Sequence, residues 1–350
     1  MKEGCLFLFL LFSTPLLAQQ LVKDTLAYKK HTAINITGIP IVNYSSSYGT
    51  IIGVNSMAFF DVSKKDTISP ASLVGLGGGY SENRSWFVAD FTQLYLKEDK
   101  WRVSAGVGVA NINFQYFEPL NDVDDGEFID YNSASTFALI KVLRQIVPNF
   151  YGGAAFKFQH SKTVFEVNND SVVIDDANGM GITGLYDTRD NIYYPGKGWK
   201  ASLSFLGNTK WLGSDQGFNS IRAYANYYRR INEKSILASR ASIFTSLGDV
   251  PFTAQRTVGG KDIRGYTDGR YRGDQVYCLQ SEYRWTFYKR WGVVGFFGVA
   301  LTENPSSNAL PAGGIGIRFK AIRSRNINIG VDGALGNGDA GIYFRIGEAF

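Results

Sequence analysis

Gln-Val-Tyr-Cys-Leu-Gln-Ser-Glu-Tyr-Arg-Trp-Thr-Phe, residues 275–287, is the stretch whose reading decides the fold. Its odd positions are Gln275, Tyr277, Leu279, Ser281, Tyr283, Trp285 and Phe287, while the even ones around it include Asp274, Gln280, Glu282, Arg284 and Thr286. Successive side chains of a strand point to opposite faces. One face is therefore aromatic and apolar and the other charged. Asn326–Leu335 repeats the pattern, with Ile327, Ile329, Val331 and Leu335 against Asn326, Asn328 and Asp332. Asp339–Phe350 does so again, setting Ile342, Phe344, Ile346 and Phe350 against Asp339, Tyr343 and Arg345. A closed sheet with lipid outside and a wet lumen inside requires this pattern.

Working outward, the composition agrees. Aromatic residues make up 15% and there are 39 glycines, as expected of aromatic girdles at two membrane interfaces and of crowded, curved strands. Charged residues make up 19%, which a hydrated lumen accommodates. Mean hydropathy is −0.11, and no stretch after residue 20 reaches the ~18 apolar residues of a spanning helix. Met1–Ala18 reads as a secretory signal peptide whose apolar run, Leu6–Leu17, is too short to span. Residues 19–33 read as a short periplasmic segment and residues 34–350 as one barrel domain. After cleavage Cys278 is the single cysteine, and the histidines are only His31 and His160, so no disulfide, metal centre or cofactor is expected. The net charge of +5 is interspersed and gives no nucleic-acid footprint. No serine sits in a nucleophile-elbow context, so no enzymatic activity is expected. Asp122, Asp124, Asp125, Glu127 and Asp130 read as a solvated acidic loop rather than a calcium loop.

The alternation places sixteen antiparallel strands at 34–45, 49–62, 71–82, 84–96, 102–117, 133–146, 151–163, 179–188, 198–208, 216–231, 234–248, 274–287, 290–301, 311–321, 324–335 and 339–350. With both termini periplasmic, the long connections 118–132, 164–178, 209–215 and 249–273 fall outside. Short ones such as 97–100 and 147–149 fall inside. The connection near Glu82-Asn83 is short for an outer one.

Three segments carry more specific information. Asp187, Arg189, Asp190, Pro195 and Gly198 form an Asp-x-Arg-Asp…Pro-x-x-Gly turn on the inner side. Ile263-Arg264-Gly265-Tyr266 lies in the longest outer connection. Gly314, Gly316 and Arg318 form a Gly-x-Gly-x-Arg strand, and the chain ends on an aromatic residue, Phe350. In this order and at these separations the motifs resemble the barrel domain of the Omp85 superfamily, the BamA/TamA and surface-antigen D15 group. The resemblance covers residues 184–350 best.

That resemblance implies a bacterial outer-membrane location and a role in outer-membrane protein assembly or translocation. It further implies that Arg264 folds into the lumen to pair with carboxylates, for which Glu282 and Asp332 are the inward candidates, and that Phe350 serves as a C-terminal signal. There are two departures. Where the family holds a lumen Asp two residues after a Phe, Phe296 is followed here by Phe297-Gly298. Residues 19–33 are also too few for the periplasmic capture domains usual in the family. Client capture is therefore expected from a separate periplasmic partner, with outer-membrane proteins as clients and outer-membrane lipid around the barrel. The alternative is a passive channel or structural barrel without insertase activity.

Overall fold

A computed structural model describes residues 35–350 apart from 46–48, 67, 70–71, 120–125, 167–170, 192–193, 252–253, 267–270, 304–308, 323–326 and 347. The expected signal peptide and the segment 19–33 lie outside the described residues. Sixteen strands follow one another around a single antiparallel sheet. They are β1 (Asn35–Ser45), β2 (Gly49–Phe60), β3 (Ser72–Ser81), β4 (Trp86–Leu96), β5 (Trp101–Pro119) and β6 (Gly126–Val147). Next come β7 (Phe150–Phe165), β8 in two pieces (Ser171–Asp176 and Gly179–Asp187), β9 (Gly198–Asn208), β10 (Phe218–Asn232) and β11 (Ser235–Gly248). The sheet finishes with β12 (Gln275–Tyr288), β13 (Trp291–Thr302), β14 (Leu310–Ile322), β15 (Ile327–Gly336) and β16 (Asp339–Ile346). Each strand pairs with the next, and the sheet curls until β1 and β16 bring Cα atoms within 8 Å of each other. Among the described residues no backbone ladder joins those two strands.

The alternation is physical. In β12, Tyr277, Leu279, Tyr283 and Trp285 are exposed while Cys278, Gln280, Glu282 and Arg284 are buried. Outward positions elsewhere are apolar as well, such as Phe297, Ile315, Ile317 and Leu335. An exposed belt of this size is unstable in water and suits a hydrocarbon solvent. No helix among the described residues is long and apolar enough to cross a membrane, so the crossing is made by strands.

The structure corrects the expected boundaries in three places. β5 and β6 run to 19 and 22 residues, well beyond the ~9–11 that cross a bilayer. Most of the expected loop 118–132 is therefore a projecting hairpin whose pairing reaches Pro119–Gly126. The expected loop 164–178 is largely strand too, because Ser171–Asp176 pairs with the upper part of β7 before the chain resumes at Gly179. Aromatic residues on the inner face of these hairpins hold them together: Phe114, Tyr131, Phe137 and Phe165 pack in one buried cluster. Finally, β16 stops at Ile346 rather than Phe350. Continued alternation would place Glu348 on the face of Ile342, against lipid, and the carboxylate is instead satisfied inside the lumen.

Candidate functional site

The connection between β11 and β12 descends into the barrel. A short ladder, Arg256–Thr257 against Arg272–Gly273, pins its two limbs. Gly259, Gly260 and Gly265 adopt φ of 143°, 62° and 115°, which lets the chain reverse where a side chain would be strained. Val258, Ile263, Tyr266 and Tyr271 are buried with Val276, Cys278, Ala300, Leu310 and Ala312 of the wall. The loop is thus seated on an apolar patch that the lumen face of β12–β14 provides for it.

At its tip Arg264 is 1% exposed. Its Nε donates to Gln280 Oε1 at 2.9 Å, Nη1 to Asp332 Oδ2 at 2.7 Å and Nη2 to Glu282 Oε2 at 2.7 Å. The guanidinium lies 3.5 Å from the centroid of the Phe296 ring, so a cation–π face completes its cage. Gly265 donates its N–H to the Tyr343 hydroxyl at 2.9 Å. A Cβ on Gly265 would stand 2.9 Å from the Leu335 carbonyl, so glycine is required on steric and torsional grounds. Tyr266 donates its hydroxyl to Pro311 O at 2.5 Å and accepts from Asn337 N at 3.2 Å.

The structure therefore brings Arg264, Glu282 and Asp332 into direct contact, with Ile263, Gly265 and Tyr266 seating the tip. The carboxylates do more than hold the loop. Glu282 also accepts from Arg284 Nε at 2.7 Å. Asp332 also pairs with Arg318 and, at 2.8 Å, with Arg345 Nε. Glu348 is held by Arg318 Nε at 3.1 Å and Asn328 Nδ2 at 2.6 Å. Arg284 Nη2 donates to the Phe350 carbonyl at 3.0 Å. Phe350, read as the end of the last strand, is instead folded back to the base of this network. Four guanidiniums share three carboxylates there, each carboxylate touching at least two partners, which offsets much of the cost of burying charge.

Sequence reasoning missed Gln280, Arg284, Arg345 and Glu348 as partners, and Phe296 as the ring beneath Arg264. Parity placed several of them inward, but which inward groups meet across the barrel depends on strand stagger. Gly298, where a lumen Asp was expected from the family, has no space for one: a Cβ there would be 2.6 Å from Leu279 O.

The inner turn forms a separate unit. Asp187 takes Arg189 through Nε at 3.0 Å and Nη2 at 3.1 Å. Asp190 Oδ1 accepts the N–H groups of Asn191, Gly196 and Lys197 at 2.8–3.1 Å. Pro195 is buried. Gly198, at φ 106°, lies so near Thr188 that a Cβ would be 2.3 Å from its carbonyl oxygen. Beside the loop tip, Asp262 accepts from Arg240 at 2.7 and 2.9 Å and from Arg256 at 2.6 Å. Burial opposes its charge, but Arg240 and then Arg256 hold its carboxyl well below the usual carboxylate range.

Comparison with known proteins places this geometry. The profile described as the Omp85 superfamily domain matches residues 71–350. A search of curated proteins found no match. Among solved structures, BamA from Haemophilus ducreyi lacking POTRA domains 1–3 aligns over 90% of this chain and 70% of its own, with TM-score 0.61 at 13% identity. CdiB from Escherichia coli aligns over 91% of this chain and 63% of its own, with TM-score 0.63 at 12% identity. CdiB from Acinetobacter baumannii aligns over 90% and 65%, with TM-score 0.57 at 11% identity. At these identities the likeness is one of fold, and the chain spans about two thirds of the length of the structures it resembles.

Proposed function

Because this chain belongs to the Omp85 superfamily and so is a barrel of the bacterial outer membrane, we propose that it acts in outer-membrane protein assembly or translocation. In this proposal a separate periplasmic protein captures the clients, and the barrel delivers them to the membrane. The observation that carries the reading is the seam. β1 and β16 lie side by side, yet among the described residues the ladder that joins every other neighbouring pair does not join them. An unpaired backbone edge is costly in lipid, so such an edge is disposed to accept a strand from a client.

Arg264 then has a structural role in the proposal. By tying the outer loop to Glu282 on β12 and Asp332 on β15, it braces the wall on one side of the seam while the edge opens. The same loop fills part of the lumen, which argues against a wide passive channel. Purification from native outer membranes in mild detergent tests the proposal. A stoichiometric periplasmic protein or a client barrel is expected. A clean monomer that conducts ions steadily would favour the channel reading.

A further inference from the structure

Among the described residues, the outward face of the barrel carries a single charge in the middle of a strand, Asp90 of β4. In β4, Phe87, Ala89, Phe91, Gln93 and Tyr95 are buried toward the lumen, while Trp86 and Val88 are exposed outward. Asp90 falls on the face of Trp86 and Val88. Its partners in register are Leu76 on β3 and Val107 on β5, which are 57% and 51% exposed. A carboxylate is thus ringed by Leu76, Val88 and Val107 on the surface that faces lipid.

Its depth follows from the strand lengths. β3 and β4 have 10 and 11 residues, about the ~9–11 that cross a bilayer, and only the turn 82–85 joins them outside. Asp90 is the fifth residue of β4. At ~3.3 Å per residue and a tilt of ~45° it therefore lies about 9 Å below the outer end of the strand. A charge at that depth is costly, and an ionisable group held there points to a partner.

The chain itself supplies none. The Asp90 carboxylate makes no hydrogen bond or ion pair among the described residues. In β3–β5 the one basic side chain is Arg102, which is buried on the lumen side and bound to Asp99. A second copy of the chain offers no cation at this depth either, since no Lys or Arg among the described residues stands outward in mid-strand. Around the carboxylate the outward positions are also small: Gly78 lies opposite Val88, and Ala105 opposite Thr92. Small residues beside a polar group let a neighbouring segment pack closely within lipid.

We propose that the lipid-facing surface of β3–β5 around Asp90 is an interface with a different membrane-embedded protein, which brings a lysine or arginine to the Asp90 carboxylate at the same depth. A charge-assisted hydrogen bond of that kind is among the strong ones. The inference requires only that the barrel lies in the outer membrane and does not depend on the role in assembly.

Two measurements on the full chain test it, with barrel folding checked by heat-modifiable migration. In native outer membranes, p-benzoylphenylalanine replaces Leu76 or, as a control, Ile315 on the outward face of β14, and the membranes are irradiated. A discrete protein adduct is expected from position 76 and not from position 315. Mass spectrometry should place the cross-link in a membrane-spanning segment of another protein that carries a Lys or Arg. Asp90→Asn should weaken the adduct by about tenfold, the upper end of polar pairing within membranes. Asp90→Arg, combined with an aspartate in place of the partner's cation, should restore it. In the second measurement the chain alone is refolded into phosphatidylcholine liposomes and unfolded with urea. There the carboxylate has no partner, so Asp90→Leu should raise the urea midpoint. The proposal is overturned by the absence of a protein adduct at position 76, by an equal adduct at position 315, or by an adduct to a second copy or to a segment without Lys or Arg. An adduct unchanged in Asp90→Asn, or a midpoint that Asp90→Leu fails to raise, overturns it as well.

Discussion

Replacing Arg264 with alanine tests the loop clamp at its strongest point. The side chain makes three hydrogen bonds, two of them to carboxylates at 2.7 Å, and stacks on Phe296. Removing one partner of a buried ion pair costs ~3–5 kcal/mol because the other charge is left uncompensated. Here the remainder is partly compensated, since Glu282 keeps Arg284 and Asp332 keeps Arg318 and Arg345. The lower figure, ~3 kcal/mol, is therefore the expectation, and at ~1.4 kcal/mol per tenfold it shifts the docked-to-undocked ratio of the loop by about a hundredfold. The assay is limited proteolysis of the 249–273 connection in intact outer membranes, with barrel folding followed by heat-modifiable migration. Faster cleavage of the loop with a folded barrel is expected. Arg264→Lys keeps the charge but loses the fork, and should fall between the two. If Arg264→Ala leaves the cleavage rate and barrel assembly unchanged, the clamp reasoning is refuted.

Three further outcomes follow from the same structure. Gly265→Ala combines a φ of 115° with a 2.9 Å approach to Leu335; strain of ~1–3 kcal/mol should raise loop cleavage while leaving Arg264 chemistry intact. Phe297→Arg puts a charge on the outward face near the middle of β13, 65% exposed in the absence of lipid; a loss of ~2–4 kcal/mol in reversible unfolding from liposomes is expected, and a neutral effect would contradict the lipid-facing assignment. The folded-state carboxyl of Asp262 is depressed, so its contribution is present above the unfolded value of ~3.9 and is lost as pH falls through and below it. Loop protection should therefore weaken on acidification below about pH 4, and less so in Asp262→Asn, which has already lost that contribution.

How much of this was legible in the sequence differs from part to part. Alternation in residues 275–287 set the faces of β12 as far as Trp285, because a strand has no other way to separate Trp285 from Arg284; beyond it a register shift between Trp285 and Tyr288 leaves Phe287 and Tyr288 both exposed. The barrel class and the order of its strands followed from repeating that pattern. The boundaries failed where strands outrun the membrane. Nothing in the polar composition around residues 118–132 says that the hairpin continues, since its pairing depends on partners across the strand and on the aromatic cluster beneath it. Arg264, Glu282 and Asp332 were identified by motif and parity together. The rest of the network was hidden because Arg345 meets Asp332 and Arg284 meets Phe350 only once stagger and the inward turn at Glu348 are fixed. Phe296 was read for the residue two positions on, whereas its ring is what Arg264 rests against.

The measurement that tests the central claim most directly is quantitative profiling of outer-membrane proteins and lipids after depletion of this chain, with re-expression as the control. The account predicts that at least one barrel protein or surface-exposed client falls severalfold in the membrane and recovers on re-expression. An outer membrane whose protein and lipid content is unchanged by depletion would contradict a role in assembly or translocation.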